Sequence, residues 1–507
     1  MRLSASLSFS LILVAIGAGL VPVIAIGFGQ GYELSRLFDA YFFRVVTFTI
    51  VQATLSTVFS VLFAIPVART LARRQFPGRG LVLRLFALPL ALPAIVAILG
   101  IVEIYGRSGW LSRLTALELD IYGLAGILIA HVFFNMPLAA RMMLVRLDQI
   151  APESFRLSAQ LGFGAGAFWR FIEWPAIRET LPGIASLVFL LCAASFATVL
   201  TLGGGPQATT LEVAIYQALR YDFDPARASL LSMAQLALCV PLVALTAAAA
   251  GRLQHAPALR AKARRFATDT AFSRLADGGI LAVALAFVFL PLIALVLAGI
   301  GAPFAWSAIA GAMITSLFLA GGAMLLSLLL AWPLANAAAR GSPLLTRLLS
   351  TAALLAFIVP PAVLATGWFV LALKAGDPPH LAPLLVIVMN ALMALPFGLS
   401  VLTPAVSQSA ARHDRLCAGL GLSGFARLRL IDLPVLARPL GLAAALSFAI
   451  SLGDLTAITL FGSQDLTTLP ALVYRQMGSY RLDAAAGSAL VLAVFSTAII
   501  AMAERWR

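Results

Sequence analysis

Charged residues are scarce in this chain of 507 residues: they make up 11% of the sequence, whereas 61% of the residues are hydrophobic. A soluble domain carries about a quarter charged residues, so the composition excludes an ordinary soluble protein. The longest run without a charge extends over 62 residues, from Gly278 to Ala339. One helical span needs about 20 residues, so this run predicts at least two membrane crossings with a turn near 301–307. Such long apolar runs favour helices over a β-barrel, whose strands alternate in short segments.

Lysine is rarer still, because only Lys262 and Lys374 occur and neither lies in a glycine-rich loop. A nucleotide-binding loop of the Gly-x-x-x-x-Gly-Lys-Ser/Thr type is therefore absent from the sequence. We interpret the GGGP stretch at 203–206 as a turn. The three cysteines have no metal-ligand spacing, and no Ser-His-Asp or paired-carboxylate pattern occurs. The sequence predicts a chain that is not an enzyme and that binds no cofactor or metal itself.

Hydropathy predicts about twelve transmembrane helices, six in each half of the chain. The first six lie near 7–29, 45–68, 83–104, 122–145, 183–204 and 228–250. The second six lie near 279–300, 308–335, 348–373, 381–402, 440–461 and 485–503. We count the first stretch as a retained span, because it is longer than a signal-peptide core and lacks a clear cleavage site. An even number of spans places both termini on one side of the membrane.

The formal net charge of +14 comes mainly from arginines in the short loops on one side of the predicted bundle. These loops carry Arg69, Arg73, Arg74, Arg79 and Arg84; Arg141, Arg146, Arg156, Arg170 and Arg178; Arg252, Arg260, Lys262, Arg264 and Arg265; and Arg412, Arg415, Arg427, Arg429 and Arg438. The positive-inside rule predicts that these loops and both termini are cytoplasmic. A nucleic-acid partner is not predicted, since it needs a basic face with readout elements.

The two halves match at nearly constant spacing. At an offset of 259, the residues Gly162, Arg170, Ile172 and Pro175 correspond to Gly421, Arg429, Ile431 and Pro434, and Pro137 corresponds to Pro396. The stretch TTLEVAIYQ at 209–217 resembles TTLPALVYR at 467–475, at an offset of 258. The sequence therefore predicts a parallel repeat of two six-span halves related by an axis along the membrane normal. The halves are 1–250 and 278–507, and a basic cytoplasmic linker at 251–277 joins them.

The first duplicated loop, at about 156–182, predicts a short amphipathic helix at the cytoplasmic surface. Gly162, Gly164 and Gly166 permit a sharp turn. Apolar residues at 168, 171 and 172 then recur with the spacing of one helix face. Pro175 is expected to stop this helix and redirect the chain toward the next span.

The second loop, at about 415–441, repeats the pattern with Phe425, Leu428, Arg429 and Ile431. Duplication favours docking onto two equivalent partners over a helix that merely lies on lipid.

Both loops resemble the EAA loop of ABC-importer permeases, whose core is a glycine, nine residues and then Ile-x-Leu-Pro. This chain has Gly162 followed by Ile172-Glu-Trp-Pro175, and Gly421 followed by Ile431-Asp-Leu-Pro434. The Glu-Ala-Ala that names the loop is replaced by Arg156-Leu-Ser158 and Arg415-Leu-Cys417. The resemblance implies a set of residues that couple the chain to an ATPase: Gly162, Arg170, Ile172, Glu173, Pro175, Gly421, Arg429, Ile431, Asp432 and Pro434.

Longer stretches resemble the permease subunits of bacterial thiamine (thiamine pyrophosphate) importers. They are YGRSGWLS at 105–112, GILIAHVFFNMPLAARMML at 126–144, the segment 195–228 and GSYRLDAAA at 478–486. This resemblance implies a fused two-half permease with the type I ABC-importer fold, located in the bacterial inner membrane. It implies a periplasmic binding protein that delivers thiamine or its phosphate esters, and two copies of a cytoplasmic ATPase that uses ATP and Mg²⁺.

Polar residues inside predicted spans are candidates for the substrate pathway, because burying them in lipid is costly. Asp454 is the only acidic residue well inside a predicted span, and an acid suits the permanent positive charge of thiamine. The alternative is that Asp454 pairs structurally with a neighbouring helix or lies nearer the end of its span. His131 and Asn135 lie one helical turn apart, and Asn390 occupies the place of His131 in the second half. For these three residues, interhelical hydrogen bonding is the favoured interpretation and pathway lining is the alternative.

Two other functions stay open at this stage. Permeases for ferric iron, polyamines or phosphonates belong to the same class. A secondary transporter of the major facilitator type also has two parallel six-span halves. The segment 69–80 has the arginines of the loop motif of that type but lacks its aspartate.

Overall fold

The computed structural model describes residues 2–27, 38–115, 120–253, 270–341, 359–376, 378–462 and 466–505. Every regular element in these ranges is helical, and 11 helices within them are long and apolar enough to cross a membrane. The shorter apolar helix Pro361–Ala375 overlaps the predicted ninth span, whose first part lies outside the described residues. The described ranges agree with the predicted all-helical membrane protein of about twelve spans.

The helices of the first half, in chain order, are α1 (Arg2–Gly27), α2 (Ala40–Arg73), α3 (Arg79–Leu85), α4 (Leu88–Ala91), α5 (Ala94–Tyr105), α6 (Trp110–Thr115), α7 (Leu124–Asp148), α8 (Pro152–Gln160), α9 (Ala165–Phe168), α10 (Trp174–Ala193), α11 (Phe196–Leu202), α12 (Leu211–Arg220) and α13 (Pro225–Leu253). A π-helical turn, Trp169–Glu173, joins α9 to α10.

The helices of the second half are α14 (Ala271–Ile300), α15 (Trp306–Arg340), α16 (Pro361–Ala375), α17 (Pro378–Gly419), α18 (Gly424–Arg427), α19 (Leu433–Leu452), α20 (Thr456–Phe461), α21 (Leu469–Gly478) and α22 (Leu482–Arg505). A second π-helical turn, Leu428–Asp432, joins α18 to α19. Most of the predicted linker, 254–269, lies outside the described residues.

The bundle has an apolar interior and an apolar outer surface. One continuous cluster of buried hydrophobic residues draws on both halves and includes Phe133, Ile177 and Leu395. On the outer surface, Val14 and Leu329 are 67% and 70% exposed. Helices satisfy their own backbone hydrogen bonds, so a surface of this kind suits the hydrocarbon of a bilayer.

The first span of each half packs against the third span of the other half. Helix α1 lies on α16, and α14 lies on α5. Glycines permit both close approaches: a Cβ on Gly100 would lie 2.4 Å from the carbonyl oxygen of Pro291, and one on Gly367 would lie 1.8 Å from that of Gly19. Gly100 and Gly367 occupy matching places in α5 and α16, so the exchange of first helices follows the internal repeat.

Prolines account for two features of where the helices begin and end. The predicted continuous span at 83–104 is wrong, because the chain forms α3 and α4 and then begins α5 after Pro93. In the first half, α8 begins at Pro152, and three residues separate it from the end of α7 at Asp148. The corresponding residue of the second half is Ala411, which keeps its backbone N–H, and α17 continues through it for 42 residues.

The fifth span of each half is interrupted. The sequence predicted continuous spans at 183–204 and 440–461 and did not indicate these interruptions. Helix α10 ends at Ala193 and α11 begins at Phe196, while α19 ends at Leu452 and α20 begins at Thr456. The interruptions lie at matching places, because Ser195 corresponds to Asp454 at the offset of 259. Irregular backbone at this depth is tolerated where protein surrounds it or where it lines a cavity.

Candidate coupling site and translocation pathway

The duplicated loops begin with the same glycine-dependent turn. Gly162 and Gly421 have φ of 65° and 67°, the left-handed region that glycine enters without steric cost. The N–H of Phe163 donates to the carbonyl oxygen of Ser158 at 2.9 Å, and the N–H of Leu422 donates to that of Cys417 at 2.8 Å. The N–H groups of the two glycines donate to the carbonyl oxygens three residues earlier, at 3.2 and 3.3 Å, which completes the Schellman arrangement that ends a helix. The predicted turn is confirmed at both positions, and in the first loop Gly162 alone supplies its left-handed conformation.

Pro175 and Pro434 do not stop a helix, so this prediction is wrong. Each lies in the first turn of a long helix, α10 or α19, directly after a π-helical turn. The N–H of Trp174 donates to the carbonyl oxygen of Trp169, five residues earlier. Proline lacks an N–H but fits the first turn of a helix, so the chain passes through the wider turn directly into the span.

Because of the π-helical turns, the apolar residues that were predicted to share one helix face do not all point the same way. Phe168 is buried with its ring centroid 5.3 Å from that of Phe155, whereas Phe171 is 60% exposed. A turn with one extra residue rotates the following side chains off the spacing expected for an α-helix. In the second loop, Phe425 is 74% exposed and Leu430 is 59% exposed. Each loop therefore presents large apolar side chains to its surroundings.

The proposed coupling residues divide into exposed and buried groups. Gly162, Arg170, Pro175, Gly421, Arg429 and Pro434 are exposed; Ile172 and Ile431 are partly buried; and Glu173 and Asp432 are buried. The coupling role itself stays a prediction for all ten residues. The two buried acids face the interior of the chain, and their partners are arginines.

Glu173 pairs with Arg69 near the C-terminal end of α2. The Nε atom of Arg69 lies 2.7 Å from Oε2 of Glu173, and its guanidinium lies 4.7 Å from the centre of the Trp169 ring. One arginine thus contacts both the first and the last residue of the π-helical turn Trp169–Glu173.

Asp432 lies between two arginines in the second half. Its oxygens are 3.6 Å from Nη2 of Arg340 and 3.4 Å from Nε of Arg427. Asp414, on α17, pairs with the same two arginines. Arg340 is the last residue of α15, which is the counterpart of α2.

Three of the four pathway candidates make hydrogen bonds between helices. The Nδ1 atom of His131 lies 2.8 Å from Oγ of Ser56. Asn135 donates to Sγ of Cys192 at 3.3 Å, and Asn390 donates to Oγ of Ser451 at 2.9 Å. Cys192 and Ser451 correspond at the offset of 259, so α10 and α19 receive amide donors at the same place. The favoured interpretation of these residues is confirmed by the geometry, and pathway lining stays a prediction.

Asp454 lies in the interruption between α19 and α20, and its carboxylate caps α20. The N–H of Thr456 donates to Oδ1 at 3.2 Å, and the N–H of Ala457 donates to Oδ2 at 2.9 Å. An aspartate in this position satisfies N–H groups that have no partner inside the helix. Gly453 leaves little room beside it, since a Cβ there would lie 3.1 Å from Cβ of Pro93 in the first half. Asp454 therefore lies where the two halves meet.

Sequence reasoning missed one buried carboxylate, that of Glu212 on α12. Its side chain is fully buried and accepts a hydrogen bond from the backbone N–H of Ala362 at the start of α16. Gln235 donates to Oε1 of Glu212 at 3.4 Å. Burial raises the pKa of Glu212 from 4.5 to about 8. The corresponding residue of the second half is Pro470, so this carboxyl group has no equivalent there.

The TTL repeat marks matching helix starts. The N–H of Leu211 donates to Oγ1 of Thr49 at 2.9 Å, and the N–H of Leu469 donates to Oγ of Ser316 at 2.8 Å. In each half, the second span therefore supplies the acceptor for the first N–H of a short helix, α12 or α21.

The GGGP stretch forms a turn, as predicted, beside a cavity of ≈ 560 Å³. Gly204 and Gly205 have φ of 69° and 126°. Arg107, Asp120 and Tyr122 line the other side of the cavity. Hydrogen bonds from the backbone of Tyr122 and from Arg107 lower the pKa of Asp120.

No protein-family model matches the chain. The thiamine transport system permease protein ThiP of Brucella abortus (strain 2308) is 46% identical over 504 residues, covering 96% of this chain and 92% of that protein. ThiP of Escherichia coli (strain K12) is 41% identical over 480 residues, covering 92% and 89%. The sulfate transport system permease protein CysW of Synechococcus elongatus is 32% identical over 181 residues, only 35% of this chain.

Proposed function

The chain belongs to the family of thiamine transport system permeases, and we propose that it carries thiamine or its phosphate esters inward as the permease of an ATP-driven importer. The observation that carries this proposal is identity of 46% that extends over 96% of the chain to a thiamine transport permease. The other substrates considered for the class, and a secondary transporter, are not favoured by relatives of this length and identity.

We propose two copies of a cytoplasmic ATPase and one periplasmic binding protein as partners. The two duplicated loops support the number of ATPase copies, because each half presents one loop with the same glycine turn and the same exposed arginine. ATP and Mg²⁺ belong to the ATPase, since the sequence has no nucleotide-binding loop of its own. The arginine-rich loops support an orientation with both termini in the cytoplasm of a bacterial cell and the chain in its inner membrane.

Transport then consists of a change between outward- and inward-facing states. The ATPases contact the duplicated loops differently in their two nucleotide states, and this difference in binding free energy shifts the equilibrium of the permease. The interruptions at 194–195 and 453–455 lie on the spans that directly follow the loops. They give each span a place where its two parts can change their relative angle.

We propose that the pathway passes the interruptions, near Asp454, His131, Asn135 and Asn390. Asp454 supplies a carboxylate at the junction of the halves, which suits a cationic substrate. The Nε2 atom of His131 is buried and has no hydrogen-bond partner among the described residues, so it can serve as a further polar contact.

Reconstitution of the chain with its ATPase in liposomes tests the proposed function. We expect ATP hydrolysis to increase when the thiamine-binding protein and thiamine are added together, and labelled thiamine to accumulate inside. Unlabelled thiamine should compete and ferric iron should not. Uptake that continued without any ATPase, or that ferric iron suppressed, would contradict the proposal.

A further inference from the structure

The two buried acids of the duplicated loops occupy the same structural position. Glu173 and Asp432 correspond at the offset of 259, and each is the last residue of a π-helical turn. Glu173 and Asp432 are only 2% and 4% exposed, although the loops around them are largely exposed. A carboxylate in such a place needs a compensating charge, and in both halves arginine provides it.

In both halves the arginine belongs to the cytoplasmic end of the second helix. Arg69 lies in the last two turns of α2, and Arg340 ends α15. The loop and the second helix are far apart in sequence, so the ion pair is a direct connection between the surface of the loop and a span. Equivalent connections in two halves of different sequence indicate a shared mechanical requirement.

The detailed chemistry differs between the halves. In the first half, one arginine contacts Glu173 and stacks on Trp169. In the second half, Arg340 and Arg427 share the two carboxylates Asp414 and Asp432. Only the position of the buried acid and the origin of its arginine on the second helix are the same.

The orientation of the acids separates them from the exposed residues of the loops. A partner that docks on the loop meets exposed side chains such as Phe171 and Arg170, or Phe425 and Arg429. Glu173 and Asp432 point the other way, toward the bundle. They are placed to receive a displacement of the loop rather than to bind the partner.

We propose that Glu173 and Asp432 are positioning residues that transmit movement of the docked loops to the second helix of each half, through Arg69 and Arg340. This inference rests on the proposed function, because it requires an ATPase on the loops. In this proposal the two acids do not contact the ATPase but connect two parts of the permease. The second helices also hold the starts of α12 and α21 through Thr49 and Ser316, so each of them links the cytoplasmic loop with the outer helix of its half.

The test uses the full complex of permease, ATPase and binding protein in liposomes, with Glu173→Gln and Asp432→Asn in the permease. We expect both variants to retain the co-purified ATPase and the basal rate of ATP hydrolysis. Stimulation of hydrolysis by the thiamine-loaded binding protein should fall by about tenfold, the size of a typical coupling effect. The exchanged pair Arg69→Glu with Glu173→Arg should recover part of the stimulation, because it restores the attraction with the charges reversed.

Glu179→Gln is the matched control, because Glu179 pairs with Arg146 on the same cytoplasmic side but is half exposed. It should leave stimulation unchanged. If Glu173→Gln fails to fold, Arg69→Lys keeps the charge and removes the planar stacking on Trp169, and an intermediate loss is expected.

Two results would overturn the proposal. One is full stimulation in Glu173→Gln and Asp432→Asn. The other is loss of the co-purified ATPase at an unchanged thermal midpoint, which would assign the acids to docking. Absence of thiamine-dependent stimulation in the unsubstituted complex would instead contradict the proposed function, so the two failures are distinguishable.

Discussion

Gly367 in the second half lies against Gly19 in the first half so closely that a Cβ on Gly367 would be 1.8 Å from the carbonyl oxygen of Gly19. The backbones of two helices can approach each other this closely only where no side chain lies between them. Nearby, the indole Nε1 of Trp368 donates to the carbonyl oxygen of Ala15 at 2.9 Å. The crossing of α1 and α16 is therefore a specific contact that joins the halves.

Gly367→Ala should destabilise the protein, because the added methyl group forces α1 and α16 apart. Overpacking of a close contact costs about 1–3 kcal/mol, and we expect a lower thermal midpoint in detergent. Gly321→Ala is the control: Gly321 also lies inside a helix, and a Cβ there meets nothing within 4 Å. Equal midpoints for the two variants would show that this crossing does not hold the halves together.

Much of this fold could be predicted from local sequence, because hydropathy defines spans and the repeat offset pairs the halves. The crossing of Gly19 and Gly367 could not, since the two residues belong to opposite halves and neither has a local pattern that identifies its partner. The interruption before α11 was also hidden, because 193–196 reads Ala-Ala-Ser-Phe without a proline or glycine. Tertiary contacts decide such features, and hydropathy does not record them.

At the coupling loops the sequence predicted the turn but not the surface. The turn at Gly162 could be predicted because glycine enters the left-handed conformation without steric cost, and the structure confirms this turn. The direction of Glu173 depends on the π-helical turn, which shifts each following side chain relative to an α-helix. Its partner Arg69 lies in another span, so the ion pair had no local signal. Glu212 was missed for a similar reason, since nothing in its own stretch indicates that α16 covers it.

Gly162→Ala should weaken the turn before the first loop and reduce the amount of ATPase that co-purifies. A residue other than glycine pays roughly 1–2 kcal/mol in the left-handed conformation. Gly166→Ala is the control, because Gly166 lies in α9, has no positive φ and has open space around its Cβ position. Combining Gly162→Ala with Gly421→Ala should reduce co-purification further. Unchanged co-purification in the double variant would contradict a coupling role for these turns.

Asp454→Asn separates the cap of α20 from the charge of the carboxylate. Asparagine can keep one of the two accepted hydrogen bonds, because its amide has one oxygen, so we expect the thermal midpoint to fall less than in Asp454→Ala. Transport of cationic thiamine should decrease, because the negative charge at the junction of the halves is lost. Asp454→Ala should lose both stability, by about 1 kcal/mol, and transport. If Asp454→Asn transports thiamine at the original rate, the aspartate serves only as the cap.

Glu212→Gln should stabilise the protein increasingly as the pH rises. The pKa of Glu212 is raised from 4.5 to about 8 in the folded chain, so the folded state holds a proton that the unfolded state releases at lower pH. Wild-type stability therefore declines through this interval and levels off above the folded pKa, whereas glutamine stays neutral throughout. Thermal midpoints in detergent at several pH values between 5 and 9 measure the gap between the two proteins. A constant gap between the two proteins would mean that the buried carboxyl group of Glu212 does not titrate in this interval.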